Sequence, residues 1–463
     1  MKHAKSSYLL AILILALLFP SVVASGQTAA MVSYHLRVRI DPAAGSLAVE
    51  GSVKIPPEDF KARSLAFYLD ETLSIRKLLI DGKEASFKYG ALELTRLTPA
   101  RRWVIVTLPP GISPGSIRME IGYGGVLKKL PEFGAAPEGE PAMDDRINAH
   151  LVQLAVYSSW YPQFEPEGAI RSDFEVSLPA GWIAICSGRK LGEQAKQGRA
   201  ITRWSSPRDT DILIVASPDF KEKSFRQAGV NIEIYYTRMP QEFIDAEVRQ
   251  VADVVKLYTD LLGETHIPGG SVRHVYSPLQ KGQGMAGIAR PGLIVTSEGR
   301  TLDGLKRDPH FSLFQPIAHE IGHFWWSFGF GQGDWINEAF AEYFSAVAVQ
   351  KVESEKEFQA VIENYRKRVR ELPTDAPSLA TVPFSNDQVG FVVRYYKGAL
   401  MLNQLRKVLG DEKFFRDCRE FFETYRARSA TTADFRSFWE KKLGAQKKAL
   451  DDWIDSRGGL PAS

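Results

Sequence analysis

The sequence predicts an α+β protein of more than one domain, in which an all-β sandwich at the amino terminus precedes a mixed, mainly helical region. Its 463 residues exceed the usual size of one domain. Hydrophobic and polar residues alternate in the first half, which is typical of half-buried strands, whereas apolar residues recur at helical spacing in the second half. A content of 44% hydrophobic and 24% charged residues is that of a folded globular protein.

The first 24 residues have the organisation of a signal peptide. Lys2 and Lys5 precede an apolar run from Leu9 to Phe19, and small residues follow up to Ala24. This run is too short to span a bilayer, so we expect cleavage after Ala24. The prediction is therefore a secreted or periplasmic protein without a stable membrane span in the mature chain. An uncleaved signal anchor is the alternative.

Residues 31–225 are predicted to form the β-sandwich domain. Leu36, Val38 and Ile40 alternate with basic residues, and the period of two resumes from Leu47 to Ile55 after a turn at Asp41–Gly45. This pattern indicates a hairpin with one buried face. Further short strands are expected at 65–69, 74–80, 103–108, 116–123, 174–178 and 183–187. Many short strands separated by turns favour a sandwich.

Residues 229–463 are predicted to form the second domain. It begins with a strand at 229–237 and an amphipathic helix at 240–262, and strands at 272–276 and 292–296 complete a small sheet. After Lys351 the chain is predicted to be helical almost throughout, at 356–370, 391–409, 412–427 and 432–443.

The segment His319-Glu320-Ile321-Gly322-His323 has the spacing of a metal site on a helix. Side chains four residues apart lie on one face, so both imidazoles can reach one tetrahedral Zn²⁺. Glu320 lies beside them, where a carboxylate can take a proton from zinc-bound water. Pro316 is compatible with the first helical turn, where its missing N–H has no partner to lose. A core helix with two satisfied histidines is the structural alternative.

A third ligand is expected on the next helix, and the spacing leaves two candidates. Asp334 suits the amino-terminal cap of that helix, which would place Glu338 and Glu342 on one face. These glutamates follow His323 by fifteen and nineteen residues, and the count alone does not choose between them.

The histidine pair followed by Asn337-Glu338-Ala339-Phe340-Ala341 resembles the aminopeptidase N family of gluzincin zinc metallopeptidases. The resemblance covers most of the chain after the signal segment and implies a short two-domain form with a thermolysin-like catalytic domain. In that family the third ligand is the Glu of an Asn-Glu-Gly/Ala motif, usually nineteen residues after the second His. The local motif implies Glu338 as the ligand despite the shorter count, because loop lengths vary more freely than ligand positions on a helix. Glu342 is then expected to orient a zinc histidine.

The segment Arg394-Tyr395-Tyr396-Lys397-Gly398 resembles the family's Tyr-x-Lys-Gly motif. Carried over by position, the resemblance implies Tyr395, rather than Tyr396, as the catalytic tyrosine. Its neutral phenol would donate a hydrogen bond to the oxyanion of the tetrahedral intermediate. A partly buried tyrosine pair at a helix start is the structural alternative.

The segment Lys281-Gly282-Gln283-Gly284-Met285-Ala286-Gly287 resembles the family's Gly-x-Met-Glu-Asn segment, which pairs with the substrate backbone as a strand edge. The resemblance implies Gly284, Met285 and Ala286 as substrate-binding residues. Ala286 stands where the family has the Glu that binds the free α-amino group of the substrate, and Gly287 replaces the Asn. An ammonium group in a site of low dielectric needs a carboxylate partner, so strict exopeptidase selectivity should weaken.

A second amine-binding acid of the family, two residues after a Gln, would correspond to Ala155 after Gln153. Arg290, close to the segment that resembles the substrate-binding edge, could favour an acidic substrate group, with an exposed arginine of no such role as the alternative.

The predicted function is therefore that of a peptidase with one Zn²⁺ ion and a peptide substrate, aminopeptidase-like in character. An endopeptidase, or a peptidase for modified amino termini, is the first alternative, and a non-catalytic binding protein that keeps the fold is the second. The formal net charge of +3 gives no support for nucleic-acid binding. Cys186 and Cys418 are expected to be free buried thiols, with a disulfide as the alternative. The oligomeric state stays open.

Overall fold

The structure is a computed structural model. It describes residues 31–461 apart from 58–63, 94–100, 113–114, 128–145, 166–167, 228, 266, 268–269, 279–286, 309–310, 328–333, 384–386 and 427–429. The predicted signal peptide at 1–24 and the predicted substrate-binding residues Gly284, Met285 and Ala286 lie outside the described residues.

The first half of the chain is built from strands that form three sheets. These strands are β1 (Val32–Asp41), β2 (Ser46–Ile55), β3 (Ser64–Asp70), β4 (Ser74–Ile80), β5 (Lys83–Glu84), β6 (Ser86–Glu93), β7 (Arg101–Thr107), β8 (Ile117–Val126), β9 (Arg146–Ile147), β10 (Val152–Leu154), β11 (Ile170–Pro179), β12 (Ile183–Cys186), β13 (Arg189–Lys196), β14 (Arg199–Asp209) and β15 (Ile214–Ser217).

An eight-stranded sheet in the order β13-β14-β11-β1-β2-β8-β4-β5 packs over the smaller sheets β3-β7-β6 and β12-β15-β10-β9. The predicted opening hairpin is confirmed, with Val38 opposite Val49 in antiparallel register. Side chains alternate across each strand, so one face of the hairpin is buried in the core between the sheets. The predicted sandwich is confirmed.

The second half combines a five-stranded sheet with a helical layer. Its strands are β16 (Lys221–Gln227), β17 (Val230–Tyr236), β18 (Ser271–Ser277), β19 (Ile288–Arg290) and β20 (Leu293–Ser297), in the order β16-β17-β18-β20-β19. Its helices are α1 (Gln241–Leu262), α2 (Glu298–Arg307), α3 (Phe314–Gly322), α4 (Asp334–Ala348), α5 (Glu355–Arg370), α6 (Gln388–Val392), α7 (Gly398–Leu409), α8 (Asp411–Tyr425), α9 (Thr432–Leu443) and α10 (Lys447–Asp455).

The amphipathic helices bury their apolar faces in one core around α3 and α4. Two π-helical turns, Val349–Glu353 and Val393–Lys397, interrupt the regular helices, and the second joins α6 to α7. The predicted small sheet followed by a helical layer is confirmed, and with it the α+β class.

The two halves meet through a small apolar cluster and buried polar contacts. Arg290 Nη2 on β19 donates to Asp211 Oδ2 over 2.9 Å, and Ser277 Oγ on β18 donates to Gln153 Oε1 over 2.7 Å. Arg290 is therefore buried in an ion pair, not exposed. The proposed division at 225–229 stays a prediction, although β16 already pairs with the second sheet through β17.

Cys186 and Cys418 are both buried and free, as expected. Within the described ranges, every helix is too short or too polar to cross a lipid bilayer.

Candidate metal centre

Helix α3 brings the two histidines of the sequence motif together. Ile317 and Ile321 bury one side of the helix, and Pro316 lies in its first turn as predicted. His319 belongs to the last turn, and His323 follows the helix end with φ −65° and ψ −9°, which continues the helical path. As a result the two Nε2 atoms lie 3.2 Å apart.

The close packing of α4 on α3 adds the third donor. Gly322 permits this approach, because a Cβ atom there would lie 3.1 Å from Cα of Ala341. Oε2 of Glu338, on the first turns of α4, lies 3.4 Å from Nε2 of His319 and 3.5 Å from Nε2 of His323. The side chains proposed as zinc ligands are thus brought together by two neighbouring helices.

The three donor atoms fit a tetrahedral metal ion. They form a triangle with sides of 3.2, 3.4 and 3.5 Å. A tetrahedral Zn²⁺ at about 2.0–2.2 Å from nitrogen and oxygen donors separates those donors by about 3.3–3.6 Å. Oε2 of Glu338 is buried and has no hydrogen-bond partner among the described residues. In the part of the chain that the structure describes, this is the one group of His, Cys, Asp and Glu with the geometry to share a metal.

The outer nitrogen of each imidazole is held by a hydrogen bond. Nδ1 of His319 donates to Oε2 of Glu342 over 2.8 Å, and Nδ1 of His323 donates to the carbonyl of Trp326 over 3.0 Å. Because both Nδ1 atoms carry the proton, both Nε2 lone pairs are directed at the centre of the triangle. The structure therefore places Glu342 behind His319, where the sequence analysis expected an orienting carboxylate.

The local electrostatics favour a cation at the centre. Burial would lower the pKa of His319 and His323, but the neighbouring carboxylates raise the pKa of both imidazoles above the ordinary value. Burial would also raise the pKa of Glu338, yet the two adjacent imidazoles hold it well below its usual range. Glu338 is therefore an ionised carboxylate that faces the two imidazole Nε2 atoms proposed as metal ligands.

Glu320 lies between the two histidines on α3 and is half-buried. Its carboxylate lies against Gly287, the residue before the edge strand β19. The candidate general base thus faces the strand edge beside the metal donors.

Tyr395 lies beside His319, on the π-helical turn between α6 and α7. Its ring stacks on that of His319 with a centroid distance of 5.4 Å and an interplanar angle of 6°. Burial and the adjacent carboxylate of Glu338 raise the pKa of Tyr395 well above its ordinary value, so its phenol is a neutral donor. Tyr396 instead packs against Tyr365, away from the donors, at a centroid distance of 4.7 Å.

The sequence did not predict the ion pair that joins the turn carrying Tyr395 to α4, the helix of Glu338. Nη1 of Arg394 donates to Oδ2 of Asp334 over 2.6 Å, and both side chains are buried. Asp334, expected as the residue before the helix, is instead the first residue of α4 and an ion-pair partner. The adjacency of Arg394 to Tyr395 was the available signal, but its partner lies sixty residues away.

Lys397 is a second residue whose contacts sequence reasoning missed. It is fully buried, and its ammonium donates to the carbonyls of Ser456 and Gly458 over 2.7 and 3.0 Å. These bonds attach the carboxy-terminal segment to the turn that carries Tyr395.

The candidate position for an amine-binding acid in the first half, Ala155, carries no charge. Ala155 is buried and apolar, and Oε1 of Gln153 accepts the hydrogen bond of Ser277. The guanidinium of Arg290 is held by Asp211, so it is not directed at the metal centre as a free cation.

The chain is similar to known peptidases and, over part of its length, to a family model. Residues 289–456 match the model of the peptidase family M1 domain. The alanine/arginine aminopeptidase of Saccharomyces cerevisiae is 21% identical over 457 residues, which cover 92% of this chain and 51% of that protein. The glutamyl aminopeptidase of Rattus norvegicus is 28% identical over 153 residues, 31% of this chain and 16% of that protein. The chain spans about half the length of the yeast relatives that it matches along most of its length.

Solved structures share the fold of the chain. An M1 zinc metallopeptidase from Deinococcus radiodurans, bound to a Tyr-Ser-Ala substrate, superimposes with a TM-score of 0.69 at 17% identity, covering 93% of this chain and 94% of that one. The LTA4 hydrolase of yeast in complex with bestatin superimposes with a TM-score of 0.67 at 16% identity, covering 94% of this chain and 68% of that one. The three chains thus share one fold.

Proposed function

We propose that the chain is a zinc-dependent peptidase of the kind its motifs predicted, and the match of residues 289–456 to the model of the peptidase family M1 domain supports this. The triangle of His319 Nε2, His323 Nε2 and Glu338 Oε2 carries the proposal, because its sides match those of a tetrahedral zinc site. The names of the relatives, which are aminopeptidases and M1 zinc metallopeptidases, support it.

The side chains around this triangle supply the remaining steps. When bound, zinc would lower the pKa of a water molecule and polarise the scissile carbonyl. Glu320 accepts the proton of that water and passes it to the leaving amine. Tyr395 donates its hydroxyl proton in a hydrogen bond to the oxyanion. The edge of β19 and the segment before it align the peptide by strand addition.

Substitution of the general base tests this assignment. Glu320→Gln is expected to keep one zinc per chain and to lose about a hundredfold or more in kcat. Zinc content by mass spectrometry and hydrolysis of a broad peptide library are the measurements. The exposed Glu242→Gln on α1 is the matched control. Wild-type activity in Glu320→Gln would remove Glu320 from its role. A zinc-free wild-type protein inactive on every peptide would instead favour a non-catalytic binding protein.

The aminopeptidase character is the finer part of the proposal, and the names of the relatives support it. An endopeptidase, or a peptidase for modified amino termini, is favoured by the alanines at the two candidate amine-binding positions, 155 and 286. A single peptide offered with a free and with an acetylated amino terminus separates these possibilities. Strong preference for the free amine supports exopeptidase action, whereas equal rates support the alternative.

Export through the signal segment is also a proposal. Mass spectrometry of the protein recovered from outside the cytoplasm tests it, since cleavage after Ala24 predicts a chain that begins at Ser25.

A further inference from the structure

Gly287 lies in unusually close contact with the carboxylate of Glu320. A Cβ atom built on Gly287 would lie 2.2 Å from Oε1, 2.7 Å from Cδ and 3.1 Å from Cγ of Glu320. Real Cβ atoms essentially never approach another heavy atom within 3.0 Å. Any side chain at position 287 therefore requires either the strand, the helix or the Glu320 carboxylate to move.

The strand that follows Gly287, β19, is held by buried contacts and cannot easily move away from Glu320. Ile288 is buried and pairs with Val295 of β20. Two residues further on, Arg290 is buried and bound to Asp211 of the other half of the molecule over 2.9 Å. Displacing β19 would break this buried ion pair and leave a buried charge without its partner, which is strongly destabilising.

Helix α3 is anchored as well. The hydroxyl of Tyr258 donates to the carbonyl of Ala318 over 3.0 Å, and Gly322 packs directly on α4. The far end of the Glu320 side chain is the flexible part of the contact, so it is the part that would move.

We propose that Gly287 is a positioning residue for Glu320. Its missing side chain lets the Glu320 carboxylate stand against the strand edge, next to the metal donors, and a side chain there displaces the carboxylate from the water it must deprotonate. This inference rests on the proposed peptidase function.

The variant Gly287→Ala tests the proposal without introducing backbone strain, because Gly287 does not adopt a positive φ. A displacement of about 1 Å at a catalytic group can cost about a hundredfold in rate, so kcat should fall by about 10- to 100-fold. KM, zinc content and thermal midpoint should stay close to those of the wild type. Gly287→Asn should behave in the same way.

The control is Gly192→Ala. Gly192 lies on the exposed strand β13 and has no positive φ, and a methyl group added there would meet no heavy atom within 4 Å. The substitution should leave kcat, KM, zinc content and thermal midpoint unchanged. Wild-type kcat in Gly287→Ala would overturn the proposal, and so would a loss of zinc or a large fall in the thermal midpoint.

A double-mutant cycle with Glu320→Gln shows whether Gly287 acts through Glu320. In the Glu320→Gln background, Gly287→Ala should reduce the residual rate by less than about threefold, because the group it displaces no longer accepts a proton. Multiplicative losses in the double variant would contradict the proposal and assign Gly287 to direct alignment of the peptide.

Crystal structures of the zinc-loaded wild type and of Gly287→Ala provide a readout that needs no turnover. The expected result is a Glu320 carboxylate in a different rotamer, with β19 and α3 in place. An unmoved carboxylate would overturn the positioning role. A wild type that cleaves no peptide would overturn the proposed function alone, and the two failures are therefore distinguishable.

Discussion

The second half of the chain contains two groups that each combine a glutamate, a histidine and a tyrosine. The two groups differ in which atoms face Nε2 of the histidine. In the first, Nδ1 of His319 donates to Glu342, and the pKa of Tyr365 is raised by burial and by its contact with that carboxylate. In the second, Nδ1 of His274 donates to Glu247, which also accepts the hydroxyl of Tyr276.

Nε2 of His274 meets the hydroxyl of Thr296 over 2.8 Å, so each polar group of that set has a partner. This set fastens α1 to the central strands and is almost fully buried. Nε2 of His319 instead meets another imidazole nitrogen and the unsatisfied oxygen of Glu338. Around His319, several acceptor atoms converge with no hydrogen-bond donor between them, which is typical of a cation site. Around His274, the same residue types each have a hydrogen-bond partner, which is typical of a structural contact.

The largest expected effect comes from removing what faces Nε2 of each histidine. Glu338→Ala removes a proposed zinc ligand and should abolish hydrolysis. Loss of a residue that only hydrogen-bonds to a ligand weakens zinc binding by up to about 100-fold, and Glu338→Ala should weaken it by more than that. Thr296→Val removes the group facing His274 and should leave zinc affinity unchanged. Competition with a chelator of known affinity measures both. Equal zinc affinity in the two variants would break the comparison.

The next effect concerns the glutamates behind the two histidines. Glu342→Gln should weaken zinc binding by about 10- to 100-fold, because the imidazole of His319 loses its orienting carboxylate. Glu247→Gln should leave zinc affinity unchanged but lower the free energy of unfolding by about 1.5–3 kcal/mol, since it weakens a buried charged hydrogen bond. Zinc titration and urea unfolding separate the two outcomes. A zinc defect in Glu247→Gln would contradict its structural role.

The tyrosines should give smaller effects of the same two kinds. Tyr276→Phe should destabilise the fold by about 1–3 kcal/mol, because one oxygen of Glu247 loses its partner in the core. Tyr365→Phe should reduce zinc affinity by a few-fold, since the hydroxyl touches Glu342 and not the metal donors. Should Tyr365→Phe prove as damaging as Glu342→Gln, the tyrosine would have to act on the metal centre by another route.

Lys397 extends the comparison to a buried cation, with the smallest expected effect. Burial lowers the pKa of Lys397 from its ordinary 10.5 to about 8. Between these two values the unfolded chain binds more protons than the folded one, so the contribution of this lysine to stability rises with pH. Lys397→Met should lack this rise. Urea unfolding of both proteins from about pH 7.5 to about pH 10.5 measures it, and parallel curves would contradict the assignment.

Elements with a strong apolar period could be predicted from the sequence, and those without one could not. Strand β1 alternates buried and exposed residues along its length, and α1 buries residues at helical spacing, so both were predicted near their observed ends. Strand β13 is exposed at all of its positions. It carries no hydrophobic period, and its pairing with β14 was therefore not predicted from the sequence.

The candidate site divides in the same way. The spacing of His319 and His323 predicted their common face, because a helix has a fixed local geometry. The ion pair of Arg394 with Asp334 was not predicted, since it joins two helices whose distance no local pattern encodes. The contact of Gly287 with Glu320 was missed for the same reason.

By itself, the sequence determined the strands and helices that have a strong apolar period, which of their faces are apolar, and which pair of imidazoles can share an ion. These properties depend on neighbours within a few residues along the chain. Spacing left Glu338 and Glu342 open, and only a family resemblance pointed to Glu338 and Tyr395. The tertiary structure brings Glu338 to Nε2, places Glu342 behind His319, and stacks Tyr395 rather than Tyr396 on the imidazole. Each of these depends on how closely separate helices pack, and small residues far apart in the chain, such as Gly322 against Ala341, set that distance.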